Sequence, residues 1–397
     1  MISISAEADL RRASSKASGD DNLTATLGRR YMTDVLSSPL EIEQLVESVH
    51  RLTPGRDDLV EPRFFLASLS AEWTPRVVVV RRGDVIVGTV YAKERRIGRF
   101  PTGIVYGDGR LGNLVVAEDA DREDVLIVGI RTLFATPGVR AVRLAIPPGS
   151  VEAGAVGRAH TLEPFDIGYG TVSPFDAHAR LPLPGDYQQF LGCLGRKTRH
   201  NFRYYRRRFE AAGHSYVHDL SLPEFRRAAT DLRKKCRIPI RQSAIDRALN
   251  LLVAAERPWA AGLRHRDGQW LSVAGGWFSG ARAFLFLQVN NDRDHDVASL
   301  SVVLRAHLIE ALIGSGTPDL VFWSGAAPPL SRYASPMPAM MVCLDAPSPG
   351  WRFVRSLIGR TQPWMPRRMA ADVRWMTSAG VSLEPPASLL GRNDRPD

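Results

Sequence analysis

Cysteine is scarce: the 397 residues hold three, Cys193, Cys236 and Cys343. They stand far apart, with no CxxC pair and no Cys/His ligand spacing, which argues against a disulfide framework and against a structural zinc site. Long apolar runs are missing too. No stretch nears the roughly 18–20 apolar residues that span a bilayer. Residues 1–30 are mixed in charge and rich in Ser and Ala, without the apolar core of a signal peptide. The expectation is a disordered leader over 1–30 on a cytoplasmic chain whose thiols stay reduced. Acidic residues are also short, 42 Asp+Glu against 52 Lys+Arg, for a net charge of +10. Between residues 195 and 237, thirteen Lys/Arg face four Asp/Glu, so nearly the whole excess sits in one segment. Such clustering suggests an anionic partner: cofactor phosphates, nucleic acid or a membrane surface.

What is present is ordinary globular material, 44% hydrophobic and 24% charged, in a chain long enough for two or three domains. Residues 31–36 read as a strand, 39–52 and 62–71 as helices, and 76–81 with 85–92 as a hairpin around Gly83-Asp84. Strand-like residues 102–116, a helix over 121–134 with acids in its first turn, and a strand over 139–146 follow. The second half repeats this grammar. Strand 216–220, helices 222–236 and 243–256, a hairpin 261–266/269–278 around Asp267-Gly268, and an apolar strand 282–289 come first. A helix over 299–313, stopped by Gly314 and Gly316, strand 320–323, short helix 328–334 and strand 337–344 complete it. The same order twice, at a spacing of about 180 residues, suggests an internal duplication, with Pro182, Pro184 and Gly185 at the boundary.

The segment from Leu191 to Glu210 is the most informative. Leu194, Thr198, Phe202, Tyr205, Phe209 and Ala212 fall three and four apart and form a narrow docking stripe on a helix. The rest of its circumference carries Arg196, Lys197, Arg199, His200, Arg203, Arg206, Arg207 and Arg208. Lys197-Thr198-Arg199-His200-Asn201 in a basic helix, followed by this element order, resembles the CelD-type acetyltransferase domain of the GNAT superfamily. It is also similar to the second domain of FemAB-type aminoacyl transferases. The resemblance covers residues 186–344. It implies an α/β (α+β) fold of tandem GNAT-like domains, each a mixed, mainly antiparallel sheet flanked by helices. The implied boundaries are 31–185 for a degenerate amino-terminal copy, 186–345 for the CelD-like domain, and 346–397 for a helical tail with a disordered end.

The family implies transfer of an acyl group from acetyl-CoA or another acyl-CoA to an amine or hydroxyl of a small molecule, sugar or lipid precursor, without a metal. Such a reaction needs orientation, proton removal, oxyanion stabilisation and protonation of the leaving thiolate. Tyr333 lies where GNAT enzymes place the thiolate's proton donor. His295, between Asp294 and Asp296, is a candidate base or a surface residue, and His307 reads as a core histidine on an apolar stripe. Lys197, Arg199 and Arg203, with Arg293 and Ser299 at the start of the central helix, are the candidate cofactor-binding residues, since guanidinium forks suit phosphate. Asn201, Gln288, Asn290 and Ser324 are the candidate substrate-binding residues. The chain departs from the superfamily at the pyrophosphate loop, where 289–300 contain no glycine and Asp292, Asp294 and Asp296 surround Arg293. Two other classes therefore stay open: a catalytically inactive module whose basic helix holds nucleic acid or an anionic surface, and a FemAB-like transferase that takes aminoacyl-tRNA.

Overall fold

The computed structural model describes residues 30–361 apart from 53–60, 108–113, 119, 148–149, 151, 153–155, 157–165, 172–177, 238–239, 296–298, 324, 327, 338–339 and 347. The expected leader, save Arg30, the expected end of the tail and Ser324 lie outside these residues. From the amino terminus the elements are β1 (Met32–Leu36), α1 (Pro39–Glu43), α2 (Val46–Leu52), α3 (Pro62–Ala67), β2 (Trp73–Pro75), β3 (Val77–Arg82), β4 (Val85–Val90), β5 (Lys93–Ile97) and β6 (Phe100–Gly107). Next come β7 (Leu114–Val116), α4 (Arg122–Ala135), β8 (Ala141–Ile146), β9 (Asp166–Thr171), β10 (His178–Pro182), α5 (Tyr187–Cys193), α6 (Arg196–Ala211) and β11 (Ser215–Val217). Then follow α7 (Leu222–Leu232), α8 (Gln242–Ala254), β12 (Arg257–Arg264), β13 (Trp270–Ser279), β14 (Arg282–Asn290), α9 (Asp292–His295) and α10 (Leu300–Gly314). β15 (Asp319–Phe322), a 3-10 turn (Leu330–Arg332), β16 (Ser335–Met337), β17 (Met340–Asp345) and α11 (Pro349–Thr361) close the chain.

These elements form two compact units: Met1–Pro54 with Ala71–Val172 and Ala339–Asp397, and Gly55–Ser70 with Ser173–Pro338. The first unit holds a four-stranded sheet, β1-β3-β4-β7, and a six-stranded one, β2-β5-β6-β8-β17-β9. All pairs are antiparallel except β6 with β8. α4 packs its buried Val125, Leu126, Ile130 and Leu133 into a core with Val78, Val80, Val90 and Leu144. It starts where the Asp121 carboxylate accepts from the Glu123 and Asp124 N–H groups, at 2.8 and 3.3 Å, which meets two of the donors a helix start leaves open.

The strand expected to end the second domain belongs instead to this first unit. β17 pairs with β8 on one side and β9 on the other. Val342 and Leu344 enter the first unit's core, and Asp345 meets the fully buried Arg143 of β8 at 2.8 Å. An apolar run flanked by polar residues reads as a strand from sequence, but the partners that hold it in this sheet, the buried counter-charge among them, lie far away in the chain.

The second unit is one seven-stranded sheet, β11-β12-β13-β14-β15-β10-β16, antiparallel except for β14 beside β15. β10, which the sequence reading places at the end of the amino-terminal domain 31–185, is an inner strand of this sheet. Its Ala179 and Leu181 are buried while Arg180 is exposed, the alternation of a strand with one face on the core. α5, α6 and α10 cover one face, with Phe190, Phe202, Phe209, Leu304 and Leu308 in its core. α7 and α8 cover the other, around Phe225, Leu232, Ile245 and Leu252. The helix expected over 39–52 breaks at Gln44, whose N–H caps α1 by reaching back to the Leu40 carbonyl. The run expected over 102–116 proves to be two strands that pair in different sheets.

Candidate active site

Among the described residues the second unit's sheet has one parallel pair, and it is short. Arg282–Leu285 of β14 align with Asp319–Phe322 of β15, and the Trp323 N–H still donates to the Leu285 carbonyl at 3.0 Å. Beyond Leu285 the two strands part, in that β15 ends at Phe322 with no further pairing among the described residues, while β14 stays paired to β13 through to Asn290. A bulge sits at the point of parting. Gly275 pairs with Leu287 and Gly276 with Leu285, so Phe286 is the extra residue that bends β14. Glycine at 276 is needed for this, because a Cβ there would lie 1.7 Å from the Phe284 carbonyl oxygen.

One polar row lines the parted stretch. Ser272 Oγ donates to Asn290 Oδ1 at 2.6 Å, Gln288 Nε2 donates to the same oxygen at 3.1 Å, and Arg305 Nε donates to Gln288 Oε1 at 3.1 Å. Gln288 and Asn290, both expected at the cleft, are thus brought together. Arg305 and Ser272 were missed. Arg305 reaches down from α10 with its guanidinium 5.5 Å from the ring centre of Phe322, the last residue of β15. Desolvation pushes its pKa down to about 10, which leaves it charged at neutral pH. The signal in the sequence is one arginine inside an otherwise apolar stretch, Leu300-Ser-Val-Val-Leu-Arg-Ala-His-Leu-Ile309.

The basic helix α6 holds to the core by Phe202 and Phe209, as its stripe predicts, and leaves its cations outward. Arg196, Lys197, Arg199, His200, Arg203 and Arg207 line a groove of about 1040 Å³ along this face. Among the described residues no carboxylate pairs with Arg196, Lys197, Arg199, Arg207 or Arg208, whereas Arg206 is spent on Glu210 at 2.8 Å and Glu310 at 2.7 Å. Arg203 donates to Gln188 Oε1 at 3.1 Å. Asn201 is half-buried on the same helix. Tyr333 is brought to the start of this helix: its hydroxyl oxygen accepts from the Gly195 N–H at 2.7 Å. Hydrogen bonds from Thr198 and that N–H hold the phenol below its ordinary pKa. Gly195, the residue before the helix, offers no side chain to cap it, so the phenol does this work from another element.

The remaining candidates lie apart. His295, in α9, has its ring 6.2 Å from that of His265, which is in turn 4.4 Å from His214. His265 follows β12, two strands from the parting. The Arg293 N–H donates to the Lys235 carbonyl at 3.0 Å, and Asp294 pairs with Lys235 at 3.4 Å, so α9 docks on the segment after α7. Ser299 precedes α10 with φ 47° and ψ 49°, left-handed backbone that no other non-glycine residue adopts among those described. The sequence lacks glycine in this loop, yet the backbone takes a conformation that glycine favours. His307 is buried against the Tyr216 ring, stacked at 4.9 Å and 7°. Burial and the neighbouring Arg206 push its pKa down to about 4, which makes it a neutral core residue. No group of three or more His, Cys, Asp or Glu able to hold a metal occurs among the described residues.

No protein-family model and no curated protein matches the chain. Among solved structures, FemX is similar over 81% of this chain and 99% of its own, with 11% identity and a TM-score of 0.53. The C-terminal domain (DUF2156) of a putative lysylphosphatidylglycerol synthetase from Agrobacterium fabrum is similar over 77% of this chain and 92% of its own, with 12% identity and a TM-score of 0.50. A tandem GNAT protein from the clavulanic acid biosynthesis pathway is similar over 80% of this chain and 99% of its own, with 13% identity and a TM-score of 0.46. At such identities the likeness is one of fold: the chain shares the fold of FemX and of the DUF2156 domain.

Proposed function

We propose that the chain transfers an acyl or aminoacyl group to an amine or hydroxyl, and that the transfer takes place where β14 and β15 part in the second unit. The observation that carries this reading is the parting itself. Past Leu285 the β15 side of β14 has no strand partner among the described residues. Unpaired backbone N–H and C=O groups at such an edge suit a donor arm or an acceptor that carries amides. In the transfer the acceptor nitrogen or oxygen attacks the donor's carbonyl carbon, the new C–N or C–O bond forms, and the bond to the leaving sulfur or oxygen breaks. The acceptor's proton is lost to solvent, and the leaving group gains one. Tyr333 suits that last step, because a phenol of lowered pKa surrenders its proton more readily. The anionic body of the donor, whether CoA phosphates or the backbone of an aminoacyl-tRNA, fits the uncompensated cations of α6.

Calorimetry with acetyl-CoA, and a thiol-release assay over a panel of amines, test the proposal. The expected results are saturable binding that weakens about tenfold in R199A/R203A and a turnover that falls about 10²-fold in Tyr333→Phe with KM little changed. A parallel assay with labelled aminoacyl-tRNA separates the two donor classes. The loop without glycine favours a second reading, in which α6 holds a polyanion and no transfer occurs. Steep salt-dependent binding of nucleic acid, with neither donor turned over, would establish that reading in place of the first.

A further inference from the structure

The row Ser272–Asn290–Gln288–Arg305 has a definite polarity. An arginine Nε can only donate, so Gln288 must present its oxygen to Arg305 and its Nε2 to Asn290. Asn290 must then present its oxygen to Gln288, and that oxygen also accepts from Ser272. Both carbonyl oxygens of the row are thereby occupied. What is left over is all donor: the two Nη groups of Arg305 and the Nδ2 of Asn290, none of which meets an acceptor among the described residues. No carboxylate pairs with Arg305 there either. The position matters as much as the polarity. Nε rests on Gln288 of β14 and the guanidinium lies over Phe322 of β15, so the cation straddles the gap at the depth where the strands separate. Arg305 keeps part of its surface accessible, which places it at the wall of an opening.

A buried cation with no counter-charge costs stability unless something supplies one. A fork of two parallel N–H donors matches the two oxygens of a carboxylate. We propose that Arg305, backed by the Asn290 amide, is a receptor for a carboxylate on the acceptor molecule that enters the parting of β14 and β15. The acceptor is then an acid, such as an amino acid or a peptide end, and a neutral amine or alcohol is a poor substrate. This rests on the transferase reading only for the word acceptor, since the receptor is a feature of the cleft itself.

The test uses the full chain without any acyl donor. N-acetylglycine, N-acetylglycinamide and inorganic phosphate are titrated at matched ionic strength, and binding is read by calorimetry and by the shift of the thermal midpoint. N-acetylglycine is expected to bind at least tenfold more tightly than its carboxamide or phosphate. Arg305→Met is expected to lose that preference without a lower midpoint, because it removes an unpaired charge. Arg305→Lys, which keeps charge but loses the fork, is expected to weaken binding several-fold. Asn290→Asp keeps the acceptor for Ser272 and Gln288 but replaces the free donor by a negative oxygen, and is expected to weaken it at least tenfold. This variant decides the matter if Arg305→Met fails to fold. Absence of carboxylate binding to the native chain, equal binding of phosphate, or binding that survives in both Arg305→Met and Asn290→Asp overturns the receptor. Transfer with no preference for acidic acceptors would sink the receptor and leave the activity, whereas carboxylate binding without transfer would do the reverse.

Discussion

The bend that separates β14 from β15 depends on one missing side chain, and this gives a graded prediction. At Gly276 a Cβ would lie 1.7 Å from the Phe284 carbonyl oxygen and 2.8 Å from its carbonyl carbon. Both belong to the paired backbone of the neighbouring strand, so neither can swing aside, and relief requires that β13 and β14 move apart. At Gly262 the nearest atoms are Trp270 Cζ3 at 2.8 Å and the Ser272 carbonyl oxygen at 2.9 Å. At Gly275 a Cβ meets only side chains, Phe225 at 3.0 Å and Leu252 at 3.2 Å, which can give by rotation. Overpacking of a well-filled core costs about 1–3 kcal/mol. Gly275→Ala belongs at the low end of that range, Gly262→Ala at the high end, and Gly276→Ala beyond it. Urea unfolding of the three variants, followed by circular dichroism and by tryptophan fluorescence, measures the order. Trp277, fully buried beside Gly276, is one of the eight tryptophans whose emission the unfolding changes. Gly276→Ala is expected to lose cooperative unfolding of the second unit or shift it by more than about 3 kcal/mol. If it proves as mild as Gly275→Ala, the bulge is not held by steric exclusion and the account of the parted strands fails.

Two further outcomes follow from buried charge. Arg143 and Asp345 are 0% and 1% exposed and meet at 2.8 Å, with Trp351 Nε1 also donating to Asp345 at 2.9 Å. Arg143→Met or Asp345→Leu alone leaves one ion buried and is expected to cost about 3–5 kcal/mol, whereas the double variant recovers most of the loss; chemical denaturation of the four proteins reads the cycle, and a double variant as weak as the sum of the singles contradicts it. His307 ionises in the unfolded chain near its ordinary 6.5 but in the folded one only near 4, because burial and Arg206 disfavour the charge more than Glu210 and Glu310 favour it. Its contribution is therefore complete above pH 6.5 and is lost as pH falls toward 4, about 3 kcal/mol in all. His307→Gln is expected to flatten that part of the stability profile between pH 7 and 4.5, and an unchanged slope would refute the assignment.

Much of this architecture could be read from local chemistry. The hairpin at Asp267-Gly268 was legible because Gly268 takes φ 87°, which its residue type permits. The docking stripe of α6 was legible because Phe202 and Phe209 sit seven apart on one helical face and both are buried. Pairing was not legible where it depends on distant charge. β17 looks like the next strand of the domain it follows, and the partners that place it elsewhere, β8 with its Arg143 and β9, lie far back in the chain. β10 was hidden by Pro182, which ends the strand and resembles a linker residue. Within the candidate site, Gln288 and Asn290 were found because polar residues that close an apolar strand stand out. Tyr333 was found by family position, but its service as a cap for α6 depends on a fold that brings Gly195 to its hydroxyl. Arg305 was overlooked because helical periodicity reports which residues are buried and says nothing about what a cation on the inward face will meet.

The two units differ in how the strands on either side of the central helix are paired. In each unit a central helix connects two strands: α4 runs from β7 to β8, and α10 from β14 to β15. In the second unit those two strands pair in parallel, Arg282–Leu285 of β14 with the whole of β15. In the first unit they do not pair at all. β7 pairs with β4, and the parallel neighbour of β8 is β6, the return strand of the β5–β6 hairpin. β7, the counterpart of β14, thus ends its own sheet with one edge unpaired among the described residues, while the β5–β6 hairpin takes the edge of β8, the counterpart of β15. It is fixed there by the buried Glu94 of β5, which accepts from Arg76 at 2.6 Å and from the Gly103 N–H at 2.9 Å. A strand edge already satisfied by its own chain has no N–H or C=O to offer a ligand. β8 is therefore closed on both sides, by β6 and β17, and the open edge beside the first unit's central helix belongs to β7.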